Sequence, residues 1–367
     1  MDQERISFMA LHFVPGVGDF LVKQLVSYCG SAESVFKQPK GRLLKIPGIG
    51  EITARAIHQG KMLHDAEKEF RKAEREDTHI LFFTDKAYPV RLKAIDDAPS
   101  VLYVKGNINL NLAKTVAIVG TRQATSYGKE QVEKLLEDLV PHQPLIISGL
   151  AYGIDIHAHK QALKHGLPTV GVLGSGMDIV YPAAHKETAK KMINNGGLVT
   201  ENHFGTQPDA HNFPARNRII AGMCDALIVV EAAAKGGALI TAEIANSYNK
   251  DVFAIPGNIG HTYSEGCNKL IKINKANLLM SVKDLEYIMN WNVGGEKAEA
   301  QLRLELSSLE PDEQTVLNVL LEQKTPLMID ELSVRTGMGQ GLLASLLLSL
   351  EFKNVVISLP GKMYKGR

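Results

Sequence analysis

Between residues 78 and 290, short apolar runs alternate with longer segments of helical periodicity. Most of the short runs are continuously apolar, which is typical of strands buried on both faces of a sheet. We predict strands at 79–83, 101–104, 115–119, 144–147, 169–173, 198–200, 226–230, 252–255 and 276–280. We predict helices at 127–140, 154–165, 184–194, 215–222, 238–248 and 265–273. Repeated strand–helix units indicate an α/β fold with a parallel, right-handed, doubly wound sheet over 78–290.

Residues 1–75 have a helical pattern that contains two copies of one short motif. The copies are Pro15-Gly16-Val17-Gly18 and Pro47-Gly48-Ile49-Gly50, each followed by an apolar-periodic helix. Each copy resembles a helix-hairpin-helix motif, whose glycines leave the amides at the start of the second helix open to a phosphate. We therefore expect backbone–phosphate contacts at Gly16, Gly18, Gly48 and Gly50. The alternative is that Pro-Gly-x-Gly only makes a tight turn between helices.

The last part of the chain follows a polar segment at 292–309, which we interpret as a linker. Residues 310–367 contain helical segments at 311–321, 329–336 and 340–350, then apolar pieces at 355–359 and 362–364. Three helices followed by a β-hairpin indicate a winged-helix domain. The third helix contains no Lys or Arg, so it is poorly suited to reading a DNA groove. We expect this domain to serve in protein interaction or dimerisation.

Composition limits the classes of partner and location. The formal net charge is +1, so any surface for a polyanion has to be local. No uninterrupted apolar run of about 18 residues occurs, and the first residues do not resemble a signal peptide, so we expect a cytoplasmic protein with no membrane contact. Cys29, Cys224 and Cys267 are far apart, which favours reduced thiols over disulfides or structural zinc.

Four glycine-rich turns follow predicted strands, and ligands bind at the carboxyl ends of strands in open α/β sheets. Each turn brings small residues to a helix start, where backbone amides can approach a phosphate. We therefore predict one anion-binding groove from these turns. Its residues are Gly120, Thr121, Arg122 and Gln123 in the first turn, Ser148, Gly149, Leu150 and Ala151 in the second, Gly174, Ser175 and Gly176 in the third, and Gly236 and Gly237 in the fourth.

A further segment, Phe213-Pro214-Ala215-Arg216-Asn217-Arg218, lies at a predicted helix start. Arg216 and Arg218 cannot share one helix face, so we expect at most one to point at the groove and the other to brace a carboxylate or the opposite wall. Neither a complete Gly-x-Gly-x-x-Gly dinucleotide motif nor a Gly-x-x-x-x-Gly-Lys-Ser/Thr nucleotide loop occurs, and we predict no cofactor.

Several ordered strings resemble the DNA-processing protein A family, also called Smf. They are Gly120-Thr121-Arg122, Ser148-Gly149-Leu150-Ala151-Tyr152-Gly153-Ile154-Asp155, Phe213-Pro214-Ala215-Arg216-Asn217-Arg218-Ile219-Ile220 and Phe253-Ala254-Ile255-Pro256-Gly257. The resemblance implies a helix-hairpin-helix (SAM-like) domain, an extended Rossmann-like domain and a winged-helix domain. It also implies a non-catalytic homodimer that binds and protects incoming single-stranded DNA during natural transformation and loads the RecA recombinase.

The resemblance assigns the main DNA-contacting arginine to Arg122. A guanidinium just past a strand end can clamp a phosphate beside open amides. The aromatic position of the family falls on Phe213, which we expect either to stack a base or to pack as a core ring. The chain departs from the family at Gly236-Gly237-Ala238, where Ser-Gly-Ser is common, and two hydroxyls are lost.

Two other functions remain as alternatives. Gly236 to Glu243 is similar to the loop of nucleotide phosphoribohydrolases, but its Thr-to-Glu spacing is out of register. A pure scaffold for the recombinase, with incidental DNA contact, is the third hypothesis. Asp155, His157 and His159 suggest an acid–base or metal cluster, but we expect Asp155 to be a helix N-cap and the two histidines to diverge, so no metal site is predicted.

Overall fold

The computed structural model describes residues 2–291, 309–323, 326–353, 355–359 and 363–366. These residues form two compact units, Met1–Trp291 and Asn292–Arg367, each with its own apolar core. Apart from Leu309, the predicted linker at 292–309 lies outside the described residues. No helix within the described ranges is both long and apolar enough to span a membrane.

The first unit begins with six helices. They are α1 (Gln3–His12), α2 (Asp19–Cys29), α3 (Ala32–Phe36), α4 (Lys40–Leu43), α5 (Glu51–Gln59) and α6 (Met62–Arg75). Gly16 and Gly48 turn the chain between helices with left-handed φ angles of 80° and 83°. Gly18 and Gly50 stand directly before α2 and α5, so both predicted hairpins are present. These helices share an apolar core with part of the sheet.

The sheet has nine strands, β1 (His79–Phe82), β2 (Val101–Lys105), β3 (Thr115–Val119), β4 (Leu145–Gly149), β5 (Thr169–Val172), β6 (Gly196–Thr200), β7 (Ala226–Val229), β8 (Asp251–Ala254) and β9 (Asn277–Leu278). Their spatial order is β1-β2-β6-β5-β4-β3-β7-β8-β9. Neighbours from β6 to β9 in this order are all parallel. The winding direction reverses at β3, which lies between β4 and β7. A crevice is therefore expected at the carboxyl ends of β3 and β7.

The sheet departs from the predicted parallel arrangement at one edge. Strand β2 runs antiparallel to both β1 and β6. Parallel neighbours need a long crossover, usually a helix that packs on the sheet. Only α7 (Val90–Lys93), a helix of 4 residues, lies between β1 and β2, so these two strands return along each other instead.

Helices cover both faces of the sheet, as a doubly wound fold requires. They are α8 (Ser126–Asp138), α9 (Ile154–Lys164), α10 (Lys186–Met192), α11 (Asn212–Met223), α12 (Gly237–Ser247), α13 (Glu265–Lys272) and α14 (Val282–Met289). On one face, Val132 of α8 shares a buried cluster with Ile118 of β3. On the other face, Ile219 of α11 shares a second cluster with Val119. Successive residues of β3 thus face opposite helical layers.

The second unit contains α15 (Pro311–Glu322), β10 (Leu327–Met328), α16 (Ile329–Thr336), α17 (Gln340–Phe352), β11 (Val356–Leu359) and β12 (Met363–Gly366). The strands form one antiparallel sheet in the order β10-β12-β11, and β10 was not predicted. Leu343, Leu347 and Leu350 of α17 are buried, whereas Leu348 and Phe352 are 55% and 80% exposed. The predicted winged helix is present, and its third helix exposes apolar rather than basic side chains.

Candidate nucleic-acid interface

A cleft of about 660 Å³ opens at the carboxyl ends of β3 and β7. The turn after β3, the turn after β7 and the start of α11 line it. The predicted first and fourth glycine turns therefore meet in space, although more than a hundred residues separate them in sequence. This is the position at which an open α/β sheet binds ligands.

Arg122 is the exposed cation of the first turn. Its guanidinium lies 5.7 Å from the centre of the Phe213 ring, in the geometry of a cation–π contact. Phe213 is half-buried, and its ring centre is 5.9 Å from that of Tyr181. The ring therefore lines the cleft rather than the core, and the guanidinium is held at the surface.

The fourth turn is open. Nothing lies within 4 Å of a Cβ built on Gly236 or Gly237, and both residues are exposed. No side chain caps α12, which begins at Gly237, so its first amides and the positive end of its dipole face the cleft. Lys235 is also exposed and lines the cleft. Lys235 was not predicted as a site residue, although a lysine directly before two glycines at a helix start was a usable signal.

The second glycine turn and the start of α9 pack directly against the first glycine turn. A Cβ on Gly120 would overlap Ile154, and a Cβ on Gly153 would overlap the Thr121 carbonyl. The Ile154 amide also donates to that carbonyl at 3.2 Å. The two turns thus rest directly on each other. Leu150 is buried, but Ala151 reaches the cleft.

Two predicted hydroxyl contacts are not available. Ser148 is fully buried and donates to the Ile118 carbonyl at 2.6 Å, and Ser175 donates to the Ile179 carbonyl at 2.6 Å. In the third turn, the Gly176 amide donates to the Thr206 carbonyl at 2.9 Å. Gly174 packs closely against Phe213. The third turn therefore uses the Ser175 hydroxyl and the Gly176 amide inside the protein, and its Gly174 supports the ring.

The two arginines of α11 have different surroundings. Arg218 bonds Glu201 and lies 3.6 Å from Asp19 and 3.9 Å from Asp97. It therefore pairs with carboxylates away from the cleft, and the structure does not support its predicted DNA contact. Arg216 is only 6% exposed and donates to the Val172 carbonyl beneath the cleft. Asn217 lines the cleft between them. The expectation that at most one arginine points at the groove agrees with this arrangement.

The predicted N-cap role of Asp155 is wrong. Gly153 occupies the N-cap position of α9, and Asp155 is buried one residue inside the helix. Burial raises the pKa of Asp155, while the nearby Arg216 opposes this shift.

The neighbouring histidines do not form a metal site. His159 is fully buried and bonds Thr169 and the Gly149 carbonyl at 2.7 and 2.8 Å, and burial lowers its pKa to about 4. His157 lies 3.3 Å from Glu133. Within the described residues, no group of three or more His, Cys, Asp or Glu side chains has a metal-binding arrangement.

The two hairpins of the helical region have different surroundings. Asp19, in the first turn of α2, accepts hydrogen bonds from the Ser100 amide and hydroxyl, both at 2.7 Å. The helix start that follows Gly16 and Gly18 therefore carries an acidic side chain that docks on the sheet region, which disfavours a phosphate there, although both glycines are exposed. Gly48 and Gly50 are exposed as well, and Glu51 follows them and pairs with Lys40 at 2.5 Å instead of docking on the sheet region. A carboxylate in the first turn of α5 disfavours a phosphate at the same helix start.

The chain has helical hairpins, a mostly parallel sheet and a winged helix, and a cleft with exposed cations opens at the switch point of the sheet. These features define the class as a multidomain Rossmann-like protein. Comparison with family models identifies the family. A family model described as DNA recombination-mediator protein A matches residues 79–290. Further models, of a SAM-like helix-hairpin-helix tandem and a DprA winged helix domain, match residues 8–60 and 300–362. The chain belongs to the DNA recombination-mediator protein A family, also named DprA or Smf.

Relatives with curated names agree with this assignment. The chain is 31% identical to Protein Smf of Synechocystis sp. over 399 residues, covering 100% of both chains. It is 44% identical to the DNA processing protein DprA of Streptococcus pneumoniae over 201 residues, covering 55% of this chain and 71% of the relative.

Two solved structures resemble the fold. The DprA of S. pneumoniae aligns with a TM-score of 0.67 and 34% identity, covering 78% of this chain and 97% of that chain. The DprA of Helicobacter pylori aligns with a TM-score of 0.53 and 27% identity, covering 59% and 97%. The latter structure was described for its unique single-stranded-DNA-binding mode.

Proposed function

We propose that this protein binds single-stranded DNA along the cleft. The observation that carries the proposal is Arg122, an exposed guanidinium that lies over the Phe213 ring and shares the cleft with the uncapped start of α12. A cation and open amides suit phosphates, and an accessible ring suits stacking of a base. The similar protein from H. pylori, described as binding single-stranded DNA, supports this choice of ligand.

The contacts that we propose fall into two groups. Arg122 and Lys235 supply cations for phosphates, and Gly236 and Gly237 supply amides, with Gly120 allowing the close turn. Thr121 and Gln123 contribute only their side chains, because the Thr121 amide donates to the Glu231 carbonyl at 2.8 Å and the Gln123 amide to the Thr121 hydroxyl at 3.2 Å. Phe213, Asn217 and Ala151 line the base side of the track, and Gly149, Leu150 and Gly174 shape it from below. Because these contacts involve the backbone and base faces, we expect little sequence preference.

We further propose that the cleft acts without catalysis. Its described titratable side chains are Arg122, Asp155, Tyr181, Arg216 and Lys235, and Asp155 is buried beneath it. Glu243, which a phosphoribohydrolase would need in the cleft, is exposed and pairs with Lys275 at 2.6 Å. This arrangement disfavours nucleotide hydrolysis.

Membership in the family supports a cellular role for this binding. We propose that the protein acts in the cytoplasm as a homodimer, protects incoming DNA during natural transformation and loads the RecA recombinase onto it. The exposed apolar face of α17 suits a protein partner better than a DNA groove.

The test is a fluorescence-anisotropy titration of labelled oligothymidine and of its duplex, across a salt series. We expect preferential binding of the single strand, with a log–log salt slope of about −0.7 per phosphate neutralised. Arg122→Ala should weaken binding by about 1.5 to 3 kcal/mol, the range of a charge-assisted hydrogen bond.

Arg55→Ala is the matched control, because Arg55 is an exposed arginine on α5 of the helical region. It should leave the dissociation constant unchanged. If the folded wild-type protein binds no single strand under any condition, the proposal fails and a nucleotide-hydrolysis screen becomes the next experiment.

A further inference from the structure

Two opposite charges, Asp155 and Arg216, lie buried beneath the cleft, with 7% and 6% of their surface exposed. They approach Gly149 together, and a Cβ built on Gly149 would overlap both side chains. The close approach therefore depends on a glycine at position 149. The Nε atom of Arg216 is buried without a hydrogen-bond partner, so Asp155 supplies the main compensation for this guanidinium.

The pair connects the glycine turns. Arg216 donates from Nη1 to the carbonyl of Val172, the last residue before the third turn. The backbone of Ala151, in the second turn, lowers the pKa of Asp155, and its carbonyl accepts from the Ile156 amide at 3.2 Å. Ile154, the neighbour of Asp155, donates to the Thr121 carbonyl in the first turn. Asp155 and Arg216 therefore contact the first three glycine turns, either directly or through an adjacent residue. The relative positions of these turns shape the cleft.

Arg216 also shares a helix face with the ring of the cleft. It lies three residues after Phe213 on α11, so both side chains project from the same helix face. The Phe213 ring packs against Gly174, and its centre lies 5.7 Å from the Arg122 guanidinium. A shift of Arg216 would therefore move both the stacking ring and the exposed cation.

We infer that Asp155 and Arg216 are positioning residues for single-stranded DNA binding, which hold the glycine turns and Phe213 in their open arrangement without touching a phosphate. This inference rests on the proposed function of the cleft. Burial raises the pKa of Asp155 and lowers that of Arg216, and each charge counteracts the shift of the other. Removing one charge leaves its partner buried and uncompensated, which favours local rearrangement.

The Asp155→Asn variant separates positioning from simple electrostatics. The substitution removes a negative charge close to a polyanion site, so electrostatics alone would tighten binding. Positioning requires the opposite result. We expect oligothymidine to bind roughly 5- to 30-fold more weakly, the scale of coupling through packed networks. The salt slope should stay at the wild-type value, because the number of neutralised phosphates does not change.

The Arg216→Met variant provides the second measurement. It should also weaken binding with an unchanged salt slope. A direct phosphate contact by Arg216 would instead reduce the steepness of the slope by about 0.7. Arg216→Lys keeps the charge but loses the planar fork, and we expect partial rescue of affinity.

Asp225→Asn is the matched control for loss of a mostly buried carboxylate. Asp225 bonds Arg91 at 2.5 Å and the Thr115 amide at 2.9 Å, at the amino ends of β3 and β7 opposite the cleft. It should lower thermal stability without changing affinity. Circular dichroism melts would confirm that each variant is folded at the titration temperature.

The outcomes are distinguishable. If the wild type binds, Arg122→Ala weakens binding and Asp155→Asn binds equally or more tightly, the inference fails while the proposed function stands. A shallower salt slope for Arg216→Met would also overturn the inference. If the wild type does not bind, the proposed function itself fails.

Discussion

Glycine turns stand ahead of helices in two regions of this protein, the cleft of the sheet and the hairpins of the helical region. In the cleft, Gly236 and Gly237 are the N-cap and the first residue of α12, which no side chain caps and whose first turn contains no acidic residue. In the hairpins, Gly18 and Gly50 precede helices whose first residues are Asp19 and Glu51. The glycine pattern is similar in both regions. The hairpin helices begin with an acidic residue, whereas α12 has none in its first turn.

A glycine turn can offer its amides to an anion only when no acidic side chain of the protein already occupies the helix start. Asp19 satisfies the amide of Ser100 in the same molecule, and Glu51 pairs with Lys40. The cleft instead adds Arg122 and Lys235 to its open amides. We therefore expect hairpin substitutions to change stability and cleft substitutions to change DNA affinity.

The largest expected effect is on stability, for Asp19→Ala. The substitution leaves the Ser100 amide without its acceptor and removes a carboxylate 3.6 Å from Arg218. The free energy of unfolding should fall by about 3 to 4 kcal/mol. Chemical denaturation measures this loss, and the folded variant should bind oligothymidine with wild-type affinity.

Glu51→Ala is the matched control, because Glu51 occupies the equivalent position of the second hairpin at the surface. Its effect on unfolding should be much smaller, since exposed ion pairs contribute little. If Asp19→Ala instead weakens DNA binding while stability is unchanged, the first hairpin is a DNA contact and the contrast between the two regions disappears.

The next largest effect is a pH dependence of stability at Glu201, which lies beside Arg218 as Asp19 does. Burial raises the pKa of Glu201 from 4.5 to about 7 despite the adjacent Arg218. Between these values the folded protein retains a proton that the unfolded chain releases, so stability falls as pH rises through this window. Glu201→Gln does not titrate. Relative to wild type, its free energy of unfolding should rise by about 2 to 3 kcal/mol between pH 5 and pH 8.

Denaturation curves of both proteins at these two pH values test the prediction. A difference between the proteins that stays constant with pH would show that Glu201 does not titrate in this window. The Glu201→Gln substitution should leave DNA affinity unchanged, because Glu201 pairs with Arg218 and does not line the cleft.

The smallest effect concerns single lysines in the two regions. Lys235→Ala should weaken oligothymidine binding about 2- to 5-fold and make the salt slope shallower by about 0.7, as expected for one lost phosphate contact. Lys45→Ala, beside the second hairpin, should change neither quantity. Equal losses for the two variants would place both regions on the DNA track.

Much of the fold could be predicted because β-strands buried on both faces leave continuous apolar runs. The run at 115–119 coincides with β3, and the helix predicted at 154–165 differs from α9 by one residue. The antiparallel edge could not be predicted in this way. Strand direction depends on how the connection packs, and an apolar run carries no information about direction.

The site was predictable to a different degree. Arg122 and Phe213 were found because their strings resemble a family, and the fold then placed them together. Ser148 and Ser175 were predicted as contacts from turn position alone, yet both hydroxyls point to backbone carbonyls inside the protein. Side-chain direction within a turn depends on the neighbouring strands, which sequence spacing does not specify.

Local periodicity and glycine placement follow from backbone sterics, so they were enough to predict the α/β class, the turns at strand ends, the winged helix and the residues available for an anion site. Which of these residues share a surface depended on the folded chain. Folding buried Arg216 beside Asp155, directed Arg218 to Glu201 and docked the first hairpin through Asp19. The physical reason is that burial and pairing of charges depend on segments far apart in the chain, which meet only when the sheet has formed.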